Sequence, residues 1–243
     1  MLGLSHGIQT DTVGLAEIFS NTYSLLLDGS DQAVQIDGLA NDFDHRNGTF
    51  SCWVRPNSPS ASQSFITIGV DANNFHRLWW HHGSNLIKFT LKSGGEADHA
   101  EFEDTGFASS SSWYHIAATW DSTADEMKLY VNNSLKETDG MDNFGDFTGT
   151  VAIADIGKFS PANNSYWKGY IDEVSIFTQT LTAAQIGALY NGGSPKYAEF
   201  SNLPGLIGYY RFTEGSGTSA VDESGTGNNG TLENAPTWST TTP

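Results

Sequence analysis

One carboxylate in the sequence stands where a strand should bury its side chains. The segment Tyr170–Phe177 has the pattern of an extended strand, in which Asp172 shares a face with Tyr170, Val174 and Ile176. An unpaired buried carboxylate is costly, so Asp172 needs hydrogen bonds, a cation or a metal ion. The sequence leaves two explanations open: a metal site at Asp172, or a turn whose backbone N–H groups donate to this carboxylate.

A second group of polar residues raises the question of catalysis. His99, Glu101 and Glu103 share one face of a short predicted strand, and glycoside hydrolysis needs two carboxylates that flank the scissile bond. The spacing matches a hydrolase pattern only in part, and a charged strand face in solvent explains the same residues. The sequence also lacks a nucleophile elbow, an HExxH motif and a phosphate-binding glycine loop. We therefore predict that the protein is not an enzyme.

Two pairs of neighbouring aromatic residues are candidates for ligand binding. Trp79 and Trp80 are consecutive on a predicted strand, so at least one of them must point away from the core. Tyr166 and Trp167 form a similar pair in a predicted loop. Exposed aromatic rings stack on sugar rings or anchor protein partners. The alternative for both pairs is core packing on one side and chance exposure on the other.

The scaffold that must position these residues is predicted to be all-β. Segments with strand alternation recur every 8–12 residues and are separated by turns rich in Gly, Asn, Asp and Ser. This spacing is typical of a two-sheet antiparallel β-sandwich or jelly roll. One short helix is expected near residues 182–190, because Thr182 and Gln185 form a capping box and Asn191-Gly192-Gly193 is a stop signal.

Six segments carry a resemblance to a known family: LDGSDQAVQI, FSCWVRP, WYHIAATWD, LYVNNSL, IADIGKF and GYIDEVSIF. In this order, over about residues 23–193, the chain resembles laminin G-like domains of the concanavalin A-like lectin/glucanase group. The resemblance implies a structural Ca²⁺ site at the rim of the sandwich, with Asp28, Asp31 and Asp172 as ligands, since Ca²⁺ prefers such oxygen donors. A second oxygen-rich loop contains Asp222 and Asn228, and ordinary turn hydrogen bonds are favoured there.

The chain is predicted to have three parts. Residues 1–21 form an arm that is either poorly ordered or docks on a partner surface. Residues 22–193 form the laminin G-like sandwich. Residues 194–243 contain a segment that precedes the main domain in many proteins of the family, and it either begins a second repeat or completes the same sandwich. We predict completion, because so short a segment would not be stable alone.

Composition limits the classes of partner. Twenty-eight acidic against eleven basic side chains give a net charge of −17, which repels nucleic acid and anionic membranes. The single cysteine, Cys52, excludes an internal disulfide. The first residues do not have the pattern of a secretory signal, and no apolar run reaches 18 residues, so neither an export signal nor a transmembrane helix is expected.

Two stretches, one before and one after the main laminin G-like motifs, suggest a source for the domain. NTYSLLLDGSDQAVQI and GNNGTLENAPTWSTTTP resemble laminin G-like proteins encoded by marine tailed bacteriophages. That resemblance implies a non-enzymatic protein of the virion surface, assembled in the host cytoplasm, such as a capsid decoration, fibre or tail component. It would stabilise the particle or adhere to host glycans, contact other virion proteins through residues 1–21, and form a homo-oligomer. The alternatives are a free lectin assisted by Ca²⁺ and, less favoured, a glycoside hydrolase.

Overall fold

Strands account for most of the regular structure in the computed structural model, which describes residues 21–142, 144–195 and 203–243. Within these ranges there are two antiparallel sheets of eight strands each, which confirms the predicted all-β sandwich. The strands are β1 (Ser24–Asp28), β2 (Ala33–Gln35), β3 (Asn47–Pro56), β4 (Gln63–Asp71), β5 (Asn74–His81), β6 (Leu86–Ser93), β7 (Glu96–Glu103), β8 (Tyr114–Asp121), β9 (Glu126–Val131), β10 (Ser134–Asp139), β11 (Ile153–Ile156), β12 (Lys168–Phe177), β13 (Leu206–Tyr210), β14 (Ser219–Ala220), β15 (Gly230–Glu233) and β16 (Thr237–Ser239).

The chain passes repeatedly between the two sheets. The first sheet has the order β10-β9-β8-β3-β12-β1-β16, with β13 also paired to β12. The second sheet has the order β14-β15-β2-β11-β4-β5-β6-β7. Consecutive strands such as β1 and β2 therefore lie in different sheets, and the apolar core is formed where the two inner faces meet.

Strand alternation determines which residues reach that core. Phe50, Cys52 and Val54 of β3 are fully buried in it, as their spacing predicts. On the second sheet, Phe89 and Leu91 of β6 are inward in the same way. Their neighbours along each strand point to the outer faces, because successive side chains of a strand alternate.

The predicted alternation along β12 is wrong beyond Asp172. In the register with β3, Asp172 pairs with Trp53 but Ser175 pairs with Ser51, so β12 contains one extra residue. This is a β-bulge, and Glu173 adopts a left-handed backbone there with φ of 47°. The extra residue places Val174 on the core side together with Ile171. Asp172 lies on the opposite, outer face.

The outer face of the first sheet is covered by a second layer. The helix α1 (Ala183–Tyr190) begins at the predicted capping box, in which the Gln185 N–H donates to Thr182 Oγ1 over 3.3 Å. The helix contributes Ile186 and Leu189 to a second apolar cluster, whose other members are Ala117, Tyr130, Phe177, Leu181 and Tyr209. Among the described residues, no helix has the length and hydropathy that crossing a membrane would require.

The C-terminal strands join both sheets. β13 pairs with the second half of β12, and β16 pairs with β1 in the same sheet. β15 pairs with β2 in the other sheet and carries β14 with it. Residues 206–239 thus extend both sheets of the sandwich.

If these strands belong to one cooperative unit, a substitution in β13 must destabilise the whole domain. Tyr210 is fully buried in the core and its hydroxyl donates to the Asn228 carbonyl over 2.6 Å. We expect Tyr210→Ala to lower the free energy of unfolding by about 3–5 kcal/mol in a single urea transition. Val221→Ala, at a side chain 44% exposed, is the matched control and should stay within about 0.5 kcal/mol of the native chain. If Tyr210→Ala leaves the main urea transition unchanged, residues 206–239 are a separate folding unit.

Candidate functional site

The structure does not bring the three predicted calcium ligands together. Asp28 pairs with Lys168 at one end of β12, and Asp172 lies four residues further along the strand, about 13 Å away at 3.3 Å per residue. Asp28 and Asp31 are exposed, and Asp28 Oδ1 accepts the Ser30 N–H over 2.8 Å. In the described ranges, no group of three or more His, Cys, Asp or Glu side chains is placed to hold a metal ion. These three residues therefore do not fit one shared calcium site.

Asp172 lies instead at a junction between strands. On one side of β12, β1 pairs as far as Ile171 and β13 pairs from Val174 onwards, so the bulge fills the gap between them. Asp172 Oδ2 accepts the Asn21 Nδ2–H, and Oδ1 accepts the Glu173 backbone N–H, both over 2.9 Å. One of the two explanations expected for Asp172 was a turn whose backbone N–H groups donate to its carboxylate. A backbone N–H does donate to it, but this N–H belongs to Glu173 in the bulge and not to a neighbouring turn.

A second buried carboxylate lies beside the first. The Tyr209 hydroxyl donates to Glu173 Oε2, and Arg211 Nε lies 3.7 Å from Glu173 Oε1. Burial raises the pKa of Glu173 to about 7, although the Tyr209 and Arg211 contacts act in the opposite direction. Burial, reinforced by the Glu173 carboxylate, raises the pKa of Asp172 well above its ordinary value. The pair connects the middle of β12 to Tyr209 of β13 and to Asn21, which precedes β1, and this is a structural role.

In the oxygen-rich loop after β14, the carboxylate of Asp222 accepts hydrogen bonds from the loop itself and from β13. The two oxygens of Asp222 accept four hydrogen bonds of 2.8–2.9 Å, from the Tyr209, Ser224 and Asn228 backbone N–H groups and the Thr226 hydroxyl. Burial alone would raise the pKa of Asp222, but these hydrogen bonds hold it below its ordinary value. This is the turn chemistry that was favoured for the loop.

The four predicted ligand-binding aromatics separate into two kinds. Trp80 and Trp167 are fully buried in the core, because strand alternation turns Trp80 inward and the Trp167 ring packs on Phe65 at 4.8 Å. Their burial removes them as ligand-binding candidates. Trp79 and Tyr166 remain partly exposed, but they line different depressions.

Tyr166 lies at one end of the sandwich. It borders a depression of about 550 Å³ whose other lining residues come from polar loops, including Gly29 and Ser30 of the DGSD turn. Its hydroxyl donates to Asn163 Oδ1 over 2.7 Å. The structure therefore brings Tyr166 close to the predicted calcium turn but not to Trp79.

Trp79 lies on the outer face of the second sheet, where β5, β6 and β7 form a depression of about 310 Å³. The eight lining residues are Phe75, Arg77, Trp79, Thr90, Lys92, Gly95, Ala97 and His99. We call this set the Trp79 depression. It contains two aromatic rings, two permanent cations and an imidazole, but no Asp or Glu. The motif FHRLWWHH signals part of it, because Phe75, Arg77 and Trp79 alternate along one strand.

A chain of hydrogen bonds connects three side chains of the Trp79 depression. Trp79 Nε1–H donates to Thr90 Oγ1 over 2.8 Å, and Thr90 Oγ1 lies 3.0 Å from His99 Nδ1. Because the indole can only donate, the hydroxyl hydrogen is assigned to the bond with His99, which leaves the ring hydrogen on Nε2. Burial, with Lys88 nearby, lowers the pKa of His99 below its ordinary value, so the ring is neutral at neutral pH.

The three residues considered for catalysis all lie on β7, but they do not form one site. His99 lines the Trp79 depression, but Glu101 and Glu103 do not. Glu101 Oε2 forms an ion pair with Lys88 Nζ at 2.7 Å, and Glu103 is exposed at the end of β7. This arrangement matches a charged strand face in solvent.

A comparison with protein families decides the assignment of the domain. Residues 28–187, more than half of the chain, match the laminin G model of the concanavalin A-like lectin/glucanases superfamily. The chain belongs to this laminin G-like family. The fold of the laminin G-like domain is accordingly lectin-like. No curated protein sequence matches the chain.

Solved structures show the same fold at low sequence identity. A candidate carbohydrate binding protein of Bacteroides ovatus has a TM-score of 0.61 and 17% identity over 90% of this chain, which spans 59% of the length of that protein. The CBM40 module of a Ruminococcus gnavus sialidase, bound to α2,3 sialyllactose, has a TM-score of 0.57 and 16% identity, covering 70% of this chain and 99% of the module. A variant of the NanB sialidase of Streptococcus pneumoniae has a TM-score of 0.55 and 16% identity, covering 71% and 27%.

The buried carboxylate pair predicts a pH dependence of stability. The folded pKa of Glu173 is raised to about 7 from 4.5, so between these values the folded state keeps a proton that the unfolded chain has lost. Its contribution to stability is therefore fully present below about pH 4.5 and is lost as the pH rises through about 7. We expect Glu173→Gln, which keeps the shape and an acceptor for Tyr209, to gain stability relative to the native chain over this range. The relative gain should be on the order of 3 kcal/mol.

Urea denaturation at a series of pH values measures this difference. Glu96→Gln is the matched control, because it removes the same charge at an exposed position. Its curve should run parallel to that of the native chain. If the Glu173→Gln curve is parallel as well, Glu173 does not hold a proton in the folded state at these pH values.

Proposed function

We propose that this laminin G-like domain binds carbohydrate, without cleaving it, in the Trp79 depression. The observation that carries the proposal is a partly exposed tryptophan in the wall of an open depression, where hydrogen bonds connect it to Thr90 and Thr90 to His99. Sugar rings present apolar C–H faces and many hydroxyls, so they bind to aromatic surface flanked by a few fixed polar groups. Phe75 and Trp79 supply the former, and Thr90 and His99 the latter.

Similar structures support this choice of ligand class. One is described as a candidate carbohydrate binding protein, and another is a sialidase module bound to a sialylated sugar. Because identity with them is below 20%, the support extends to the fold and not to any residue. A binding role is favoured over hydrolysis, because the lining residues of the depression include no carboxylate.

Substitution of Trp79 tests the location of the site. We expect Trp79→Ala to weaken binding of the best ligand on a glycan array by about tenfold, which corresponds to a loss on the order of 1.5 kcal/mol. Tyr166→Ala is the control, because it removes a partly exposed aromatic ring from the other depression. Loss of binding in Tyr166→Ala but not in Trp79→Ala would move the site to the end of the sandwich. The same titrations with and without EDTA test the predicted calcium requirement.

A virion role is a second proposal, and it is supported by the sequence resemblance of the two ends of the domain. In this role copies of the protein assemble on the phage particle, residues 1–21 contact capsid or tail proteins, and the Trp79 depression faces outward to host glycans. Mass spectrometry of particles purified through a density gradient tests it. We expect the protein at a copy number that is a symmetric multiple of a capsid or tail subunit, and its absence from the particles would remove the proposal.

A further inference from the structure

Arg77 is a buried cation on the outer face of the second sheet. Its side chain is 8% exposed, and its guanidinium lies over two aromatic rings, at 4.3 Å from the centroid of Trp79 and 4.4 Å from that of Phe159. Arg77 Nε–H donates to Ser64 Oγ over 2.5 Å. In the part of the chain that the structure describes, Nη2 is buried without a hydrogen-bond partner and no acidic side chain forms an ion pair with Arg77.

Such an arrangement is costly, and the two other buried cations among the described residues have acidic partners. Lys158 Nζ lies 3.2 Å from Asp155 Oδ1, and Arg211 Nη1 lies 3.3 Å from Glu223 Oε2. Acidic side chains outnumber basic ones by 28 to 11, so a buried arginine has many candidate partners. Burial lowers the pKa of Arg77 to about 9, which still leaves it charged at neutral pH. A buried charge without a partner destabilises the fold and is typical of a functional site.

The surroundings of Arg77 are matched to an acceptor. Lys92 and His99 line the same depression, and the assigned ring hydrogen of His99 lies on Nε2. The eight lining residues include no Asp or Glu, so no carboxylate of the chain lines the depression to compete for Arg77. Nε is hydrogen-bonded to Ser64 and Nη2 is buried, so Nη1 is the guanidinium nitrogen left for an acceptor in the depression. Because aromatic rings lie over the guanidinium, Nη1 donates in its plane, where a carboxylate oxygen can accept.

We propose that the Trp79 depression recognises a sugar acid, whose carboxylate forms a charge-assisted hydrogen-bonded pair with Arg77. The inference rests on the proposed carbohydrate-binding function and adds the class of sugar. Arg77 supplies the charge and the orientation, Trp79 and Phe159 hold its plane, and Lys92 and His99 are the further donors at the edge. Trp79 thus has two tasks, since it contacts the sugar and fixes the arginine.

The overall charge of the protein does not oppose this. A net charge of −17 repels an anion at long range, but at physiological ionic strength charges are screened over about 8 Å. Within that distance the nearest charges determine whether an anion is attracted to the depression. Arg77, Lys88 and Lys92 lie on neighbouring strands of this face, and Lys88 neutralises Glu101. Asp71 interacts with Lys92, and Asp98 and Asp139 interact with His99. None of these carboxylates lines the depression itself.

The experiment compares matched ligands and matched variants of the full chain. The probes are oligosaccharides ending in glucuronic acid or in N-acetylneuraminic acid, and the methyl esters of both, which keep the ring and remove the charge. The variants are Arg77→Met and Arg55→Met. Arg55 also lies over an aromatic ring, that of Tyr170 at 5.1 Å, but it is half-buried and lies on the other sheet. Because each variant replaces one arginine by methionine, both change the net charge equally.

We expect at least one free acid to bind tenfold or more tightly than its methyl ester, as charge-assisted hydrogen bonds predict. Arg77→Met should remove this preference while Arg55→Met keeps it. Thermal unfolding should show Arg77→Met to be at least as stable as the native chain, since a methionine replaces an unpaired buried charge. A folded variant without the preference therefore identifies lost recognition.

Other outcomes separate the inference from the function on which it rests. Equal binding of acid and ester, or a preference that survives Arg77→Met, overturns the inference and leaves carbohydrate binding intact. Arg77-dependent binding of a sulfated oligosaccharide, with none of either acid, overturns the assignment to a carboxylate. Failure of every glycan on the array, charged or neutral, overturns the proposed function as well.

Discussion

The structure depends on one crowded strand. β12 pairs with β3 along one side, and along the other it pairs with β1 and β13, which lie end to end. Two strands cannot meet end to end without leaving backbone groups unpaired between them, and the bulge at Glu173 fills this gap. The carboxylates of Asp172 and Glu173 receive hydrogen bonds there from Asn21, just before β1, and from Tyr209 in β13. The bulge thus connects the beginning of the sandwich to its C-terminal strands.

The buried ionisable groups at the bulge and on the second sheet have different surroundings. At the bulge, Asp172 and Glu173 are supplied with donors from three parts of the chain, so the carboxylates serve the fold. On the outer face of the second sheet, Arg77 has aromatic rings and one hydroxyl but no carboxylate. Burial of an ionisable group is costly in both places. The difference is that the first site is closed by the protein, whereas the second borders an open depression that a ligand must complete.

Local patterns in the sequence predict the local structure well. The alternation in β3 and β6 and the capping box of α1 depend on neighbouring residues. The bulge in β12 does not, because it is required by strands that are distant in sequence. Asn21 lies 151 residues from Asp172, so no local pattern indicates their contact. For the same reason the sequence identifies Trp79 and Trp80 as a pair but does not say which faces outward, and it gives no sign that Arg77 lacks a partner.

The two outer faces differ in what covers them, and this difference determines where a ligand has room. On the first sheet, α1 and the apolar cluster around Leu181, Ile186 and Leu189 cover the strands next to the bulge. Burial of that surface stabilises the fold, so it is not offered to a partner. Over β5, β6 and β7 the described chain places no such layer, and most side chains that line the Trp79 depression there are aromatic, cationic or hydroxyl-bearing. In this sandwich the covered outer face stabilises the fold, and Arg77 lies on the face that is left open.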